Sequence, residues 1–167
     1  LLALVDRTNI GFAKLAFMTD LKFDEAAYGF GAGIFYLGYL LFEIPSNLAM
    51  ERIGLRKTLM RIMVLWGACT AGLAFMSTPA TFAWLRFFLG AAEAGFFPGL
   101  ILYLTYWIPS RRRAWFTALL MSCPAIAGIA SGLLAGSIMQ GMEGWLGLRG
   151  WQWLFLVQGL PSVLVGL

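Results

Sequence analysis

Residues 82–107 read FAWLRFFLGAAEAGFFPGLILYLTYW, an apolar run whose only charged side chains are Arg86 and Glu93. At 1.5 Å per residue, a helix of this length rises about 39 Å, which is enough to cross the ~30 Å hydrocarbon core of a bilayer. Apolar and polar residues do not alternate along the run, which argues against a β-barrel strand. The run is typical of a membrane-spanning helix.

The rest of the chain repeats this composition. Hydrophobic residues make up 60% of it and charged residues 12%, with a mean hydropathy of +0.80. Because soluble domains carry about 25% charged residues, we expect an all-α integral membrane protein. Both chain ends lie inside apolar runs, so we also expect a fragment whose first helix is truncated. The predicted helices cover residues 1–16, 26–48, 58–76, 82–107, 114–139 and 151–167.

The distribution of basic residues predicts the orientation. Cytoplasmic loops carry an excess of Lys and Arg, so we expect the richer side to face the cytoplasm. The expected location is the cell membrane. The net charge of +4 is small and lies in the loops, so no nucleic-acid partner is expected. One side holds Arg52, Arg56, Lys57, Arg61, Arg111, Arg112 and Arg113, and the other holds Lys14, Lys22 and Arg149.

Residue types that support catalysis or metal binding are scarce. The chain has no His, and its two cysteines, Cys69 and Cys123, lie in apolar runs where inert buried thiols are the usual finding. We therefore expect no metal site, no cofactor and no enzyme activity. A membrane-embedded enzyme remains a remote alternative, because a chain without His has few catalytic groups. A channel is also remote, because the polar groups cluster at one depth and do not form a stripe along one helix.

Four charged side chains lie inside the apolar helices. Asp6 and Arg7 fall about ten residues, or ~15 Å, before the outer end of the first helix, close to the membrane midplane. Arg86 and Glu93 are seven residues apart and so share one face of the fourth helix. Such charges normally face a cavity or each other. They are interpreted either as a site or as structural ion pairs within each helix, Asp6 with Arg7 and Arg86 with Glu93.

The site interpretation has a chemical basis. The planar fork of Arg suits two-point binding of a carboxylate, and burial favours the neutral form of a carboxyl group, which can then exchange a proton. Glu43 is nearer the cytoplasmic end, where pairing with Arg52 or capping of a helix break is favoured. Tyr36 and Tyr39 share a helix face, and spacing alone leaves packing and cavity-lining roles open.

Small residues recur on the fifth helix at Gly128, Gly132 and Gly136. Their four-residue spacing places them on one face, as in helices that approach each other closely in membranes. We expect this ridge to pack against a neighbouring helix.

Residues 47–57 read NLAMERIGLRK, which resembles the G-x-L-x-D-R-x-G-x-R-K loop of the major facilitator superfamily, with Asn47 for the first Gly and Glu51 for Asp. Arg86-x-x-x-Gly90-x-x-x-Ala94 is similar to that superfamily's fourth-helix motif. The resemblance implies the N-terminal six-helix bundle of a twelve-helix fold, with the C-terminal bundle absent. In the superfamily the loop makes charge contacts that gate the cytoplasmic side, which implies this role for Glu51, Arg52, Gly54 and Arg56.

Five further stretches resemble the anion:cation symporter family, which includes bacterial proton symporters for tartrate, galactonate and phthalate. They are DRTNIGFA at 6–13, EIPSN at 43–47, LRFFLGAAEAGFFPG at 85–99, YLTYWIP at 103–109 and GWQWLF at 150–155. The resemblance implies that Asp6 and Glu93 couple transport to protons. It also implies that Arg7, Arg86 and Tyr39 bind the substrate.

The resulting functional expectation is proton-coupled symport of a small organic carboxylate by alternating access. The proton gradient drives it without a cofactor, and the partners are the anion, protons, membrane lipid and the missing C-terminal half. A drug or sugar-type antiporter or uniporter is the alternative. The antiporter pattern Gly-Pro-x-x-Gly-Gly is not supplied by the fifth helix, where residues 123–128 read CPAIAG.

Overall fold

Within residues 2–167, the computed structural model contains helices and no strand, which confirms the all-α prediction. The structure describes the backbone of residues 2–167 and the side chains of residues 7–167. A short 3₁₀ turn, Trp145–Gly147, precedes the last helix. The helices are α1 (Leu2–Leu21), α2 (Glu25–Ile53), α3 (Leu55–Leu73), α4 (Pro79–Glu93), α5 (Phe96–Trp107), α6 (Ser110–Gly141) and α7 (Gly150–Gly166).

Three of the helical stretches are long and apolar enough to cross a membrane by length and composition. They are Glu25–Ile53 and Pro79–Trp107, each of 29 residues, and Ser110–Gly141, of 32 residues. The bundle is built from the packing of α2 on α4, α3 on α7, α1 on α6 and α3 on α4. The start of α2 is capped by Asp24, which accepts a hydrogen bond from the Ala27 amide at 2.7 Å.

The fourth apolar segment is divided into α4 and α5, where the sequence pattern predicts one helix. Gly95 adopts a left-handed conformation, with φ of 86°, directly after Ala94 leaves the helical region. Pro98 has no N–H with which to bond the Ala94 carbonyl four residues earlier, so a continuous helix would lose that bond. A Cβ on Gly95 would also lie only 2.6 Å from Ser46 Oγ. The break therefore comes two residues after Glu93.

Glycines lie at two close helix crossings. A Cβ added to Gly38 would meet the Phe87 carbonyl oxygen, and one added to Gly90 would meet that of Phe35, so α2 and α4 touch through their backbones. At the α3–α7 crossing, a Cβ on Gly67 would lie 2.6 Å from the Gly159 carbonyl oxygen. Close approach through small residues is how membrane helices gain van der Waals contact without a hydrophobic driving force.

The glycine ridge of α6 packs less closely than its spacing predicts. Around Gly128 and Gly136, no described atom lies within 4 Å of an added Cβ, and Gly132 meets only the ring of Phe12 at 3.3 Å. The α1–α6 contact instead includes a buried polar cluster. Thr8 Oγ1 donates to Ser131 Oγ at 2.7 Å, and Ser131 donates in turn to Asn9 Oδ1. Hydrogen bonds between these side chains join the two helices.

Candidate functional site

Arg7 of α1 and Glu93 of α4 form an ion pair between helices. Arg7 Nε lies 2.8 Å from Glu93 Oε1. The Glu93 side chain is 5% exposed, whereas that of Arg7 is 40% exposed because it borders an open cavity. The sequence-based pairings joined neighbours within one helix and did not include this one. The pair gives a buried carboxylate its counter-ion, which is the condition for keeping it charged away from water.

Phe35 of α2 contacts two guanidinium groups. The Cζ atom of Arg86 is 4.5 Å from the centre of the Phe35 ring, and that of Arg7 is 5.5 Å from it. Arg7 also lies 5.4 Å from the Tyr39 ring centre. Aromatic rings attract cations through the negative charge of their faces, more strongly where water is excluded. The two arginines are thus held by one aromatic side chain, although they belong to different helices.

A cavity of about 440 Å³ opens beside the Arg7–Glu93 pair. This volume falls within the range of small-molecule sites, which are mostly apolar with a few placed polar groups. Two tyrosines, Tyr36 and Tyr39, share the polar part of the wall with the ion pair. The apolar part is made by α5 and α6 and includes Phe96, Phe97, Leu100, Leu120, Met121 and Pro124.

The structure brings three of the residues predicted for the site to this cavity. Arg7, Tyr39 and Glu93 line it together. Arg86 is buried and is not among the lining residues. Asp6 lies outside the residues whose side chains are described. The site is therefore assembled by α1, α2 and α4, with α5 and α6 completing the wall.

The predicted gating residues lie at the turn between α2 and α3. Gly54 adopts a φ of 92° there, a conformation that favours glycine, and no heavy atom lies within 4 Å of an added Cβ. Glu51, Arg52 and Arg56 are exposed, and in the described part of the chain none of them forms an ion pair. Their charges are turned outward from this bundle.

Glu43 does not make the contact favoured for it from the sequence. It is half-buried on α2, one turn after Tyr39, and within residues 7–167 it forms no ion pair with Arg52 or another cation. The helix α2 continues through Pro45, two residues after Glu43, so there is no helix break at this position for Glu43 to cap. A capping role for Glu43 is therefore not observed.

Sequence reasoning missed Phe35 and the cavity wall of α5 and α6. A signal for Phe35 exists, because it precedes Tyr39 by four residues and so shares its helix face. The wall residues have no such signal, since Phe, Leu and Met are equally common on lipid-facing surfaces.

The chemistry open to the site follows from the Arg7–Glu93 ion pair. Glu93 neutralises Arg7 while it is ionised, and a proton on Glu93 would leave the guanidinium without a carboxylate partner in this pair. A bound anion and an ionised Glu93 thus compete for the same cation. Within residues 7–167, no group of three or more His, Cys, Asp or Glu side chains could hold a metal ion.

Curated relatives match nearly the whole of this chain. A protein of Agrobacterium vitis named as a tartrate transporter is 48% identical over 164 residues, which cover 98% of this chain and 38% of the relative. The quinolone resistance transporter of Acinetobacter baumannii is 46% identical over 167 residues, covering 100% of this chain and 38% of the relative. The chain thus spans little more than a third of the length of these proteins.

A solved structure has the same fold. A bacterial homologue of the human lysosomal transporter Spinster, crystallised in an inward-facing and occupied conformation, superimposes with a TM-score of 0.86 at 22% identity. The superposition covers 99% of this chain and 40% of that one. The sequence profile of the Major Facilitator Superfamily matches residues 1–167. The helical bundle, its relatives and this match agree: the chain belongs to the major facilitator superfamily of multi-pass membrane transporters.

Proposed function

We propose that the protein containing this chain is a proton-coupled symporter of a small organic carboxylate. The observation that carries the proposal is the Arg7–Glu93 ion pair on the cavity wall, with its 2.8 Å contact. Because one guanidinium serves both the buried carboxylate and an incoming anion, protonation of Glu93 favours anion binding. Linkage requires the reciprocal effect, so the bound anion also favours protonation. The name of the Agrobacterium vitis relative, a tartrate transporter, supports a carboxylate substrate.

The remaining site residues are assigned supporting roles. Tyr39, whose ring lies 5.4 Å from Arg7, borders the substrate carboxylate, and Arg86, which contacts Phe35, adds positive charge near the site. Asp6 is proposed as a second proton carrier next to Arg7 in sequence. The cavity is closed by a second helical bundle, against which this one rocks during alternating access. The outward-facing charges of Glu51, Arg52 and Arg56 meet that bundle at the cytoplasmic side of the cell membrane.

Substitution of Glu93 by Gln tests the coupling in full-length protein reconstituted into vesicles. Gln mimics the protonated acid, so carboxylate binding and exchange are expected to persist and to become independent of pH. Uphill accumulation driven by a pH gradient is expected to disappear. Glu43→Gln is the matched control, since it removes a half-buried carboxylate that has no ion pair within residues 7–167, and it should retain accumulation. Proton-driven accumulation by Glu93→Gln would overturn the coupling proposal.

Substitution of Arg7 by Lys tests the anion contact in the same vesicles. Lysine keeps the charge but loses the two-point geometry of the guanidinium. Loss of one charge-assisted hydrogen bond corresponds to roughly tenfold weaker carboxylate binding. Unchanged affinity would show that Arg7 does not bind the substrate.

Export of an amphipathic aromatic drug is a second candidate. It is favoured by the apolar wall that includes Phe96, Leu100 and Met121, and by the name of the Acinetobacter baumannii relative, a quinolone resistance transporter. The vesicle assay separates the two candidates when it includes a quinolone. Symport predicts carboxylate uptake together with protons, whereas drug export predicts quinolone movement against them.

A further inference from the structure

A second groove lies on another side of the bundle, between α2, α3 and α4. Its volume is about 640 Å³, and it shares no lining residue with the cavity beside Arg7. The walls include Phe42, Leu65 and Phe88, which are 44%, 48% and 53% exposed. Apolar side chains so exposed on a membrane helix face lipid or another apolar chain.

The groove contains one charged side chain, Arg61 of α3. It is exposed, and its Nη2 atom donates to Ser46 Oγ at 3.2 Å. In the described part of the chain, Arg61 forms no ion pair. A guanidinium carries five N–H donors, and this one hydrogen bond uses one of them. The groove therefore presents a cation whose charge is balanced by no carboxylate among residues 7–167.

The depth of Arg61 restricts what can balance it. Arg61 is six residues into α3, about 9 Å from the helix start. Ser46 is seven residues before the end of α2, about 10 Å from the same side. An arginine side chain at this depth is long enough to bring its guanidinium close to the lipid headgroups. The distribution of basic residues predicts that these are the headgroups of the cytoplasmic side.

We infer that this groove binds an anionic phospholipid, with its phosphate on Arg61 and its acyl chains along Phe42, Leu65 and Phe88. A phosphate is an anion that a lipid-facing groove meets at this depth, and Arg binds phosphate oxygens through two parallel hydrogen bonds. None of the lining residues is acidic, so the amine of a zwitterionic headgroup finds no partner here. Phosphatidylglycerol, which is anionic and has no amine, fits this charge pattern.

The lipid site adjoins the break between α4 and α5. Ser46, which accepts the hydrogen bond from Arg61, also lies next to Gly95, since a Cβ added to Gly95 would be 2.6 Å from Ser46 Oγ. Gly95 is two residues from Glu93. Lipid bound to Arg61 therefore holds the segment of α2 against which this break packs, and we expect its binding to raise thermal stability.

The test measures thermal unfolding of the full-length protein in detergent with added phosphatidylglycerol, phosphatidylcholine or inorganic phosphate. Phosphatidylglycerol is expected to raise the midpoint by several degrees, with little effect from the other two. Arg61→Gln should lose at least half of this shift. Arg112→Gln, which removes an exposed charge at the start of α6 on the same side, should retain it.

Three outcomes overturn the inference. An equal phosphatidylglycerol shift in Arg61→Gln and Arg112→Gln would show general attraction to a basic surface. An equal response to phosphatidylcholine would remove the charge argument, and an equal response to inorganic phosphate would indicate a free-anion site. If Arg61→Gln does not fold, Arg61→Lys serves instead, and it should show a smaller shift because it lacks the guanidinium fork.

Discussion

Arg7 and Glu93 share one ion pair, so a change at either residue alters the environment of the other. Glu93 is almost fully buried and depends on Arg7 for its counter-ion. Removing one partner from a buried pair is more harmful than replacing both, because the remaining charge is left in an apolar medium.

A double-mutant cycle measures this dependence in full-length protein. Arg7→Gln is expected to lower the free energy of unfolding by about 3 kcal/mol, the low end for a broken buried pair because Arg7 is partly exposed. Adding Glu93→Gln should recover much of this loss, since the buried carboxylate that lost its Arg7 counter-ion is then neutral. Denaturant midpoints of the wild type, both single variants and the double variant provide the values. Additive effects would show that the two side chains are not coupled in the folded protein.

At the scale of the helices, glycine has opposite roles at positions that look alike in sequence. Gly38 and Gly90 lie where α2 and α4 touch through their backbones, whereas Gly29 and Gly33 on α2 have no described atom within 4 Å of an added Cβ. Replacing each of these glycines by alanine should therefore distinguish the effect of close helix packing from the effect of helix propensity.

Alanine substitution tests this difference. Gly38→Ala and Gly90→Ala are expected to destabilise the protein by about 1–3 kcal/mol, because the new methyl group forces the helices apart. Gly29→Ala and Gly33→Ala should be neutral or stabilising by up to about 1 kcal/mol, since Ala favours the helix. Thermal unfolding of the four variants gives the comparison. Equal effects at all four positions would show that the close crossing does not determine stability.

The all-α class was predictable from the sequence because apolar length is a strong signal, and the positions of Arg7 and Glu93 indicated a similar depth in the membrane. The sequence did not predict their pairing, since contacts between helices depend on crossings that glycines such as Gly90 allow. Gly95 and Pro98 are residues that often interrupt helices. The apolar run continues through them, however, so apolar length alone predicts one uninterrupted helix. The α6 ridge shows the reverse error, because small-residue spacing alone does not identify a packed face.

The topology of the whole molecule depends on whether α3 crosses the membrane. Its 19 residues span about 28 Å, which is close to the thickness of the hydrocarbon core. It is not among the helices that are apolar enough to cross a membrane by composition, because Arg56, Lys57 and Arg61 lie near its start. Its packing along α4 and α7 argues that it spans the bilayer with them. Between Lys22, at the turn before α2, and Arg112, at the start of α6, the chain then crosses three times.

Single-cysteine labelling can count these crossings, in full-length protein from which the other cysteines have been removed. With three crossings, Lys22→Cys and Arg112→Cys lie on opposite sides. The excess of basic residues then places residue 112 in the cytoplasm. A membrane-impermeant maleimide should label Lys22→Cys in intact cells and Arg112→Cys only after permeabilisation. Labelling of both in intact cells would mean that α3 does not cross, because α2 and the α4–α5 segment alone return the chain to the side on which it began.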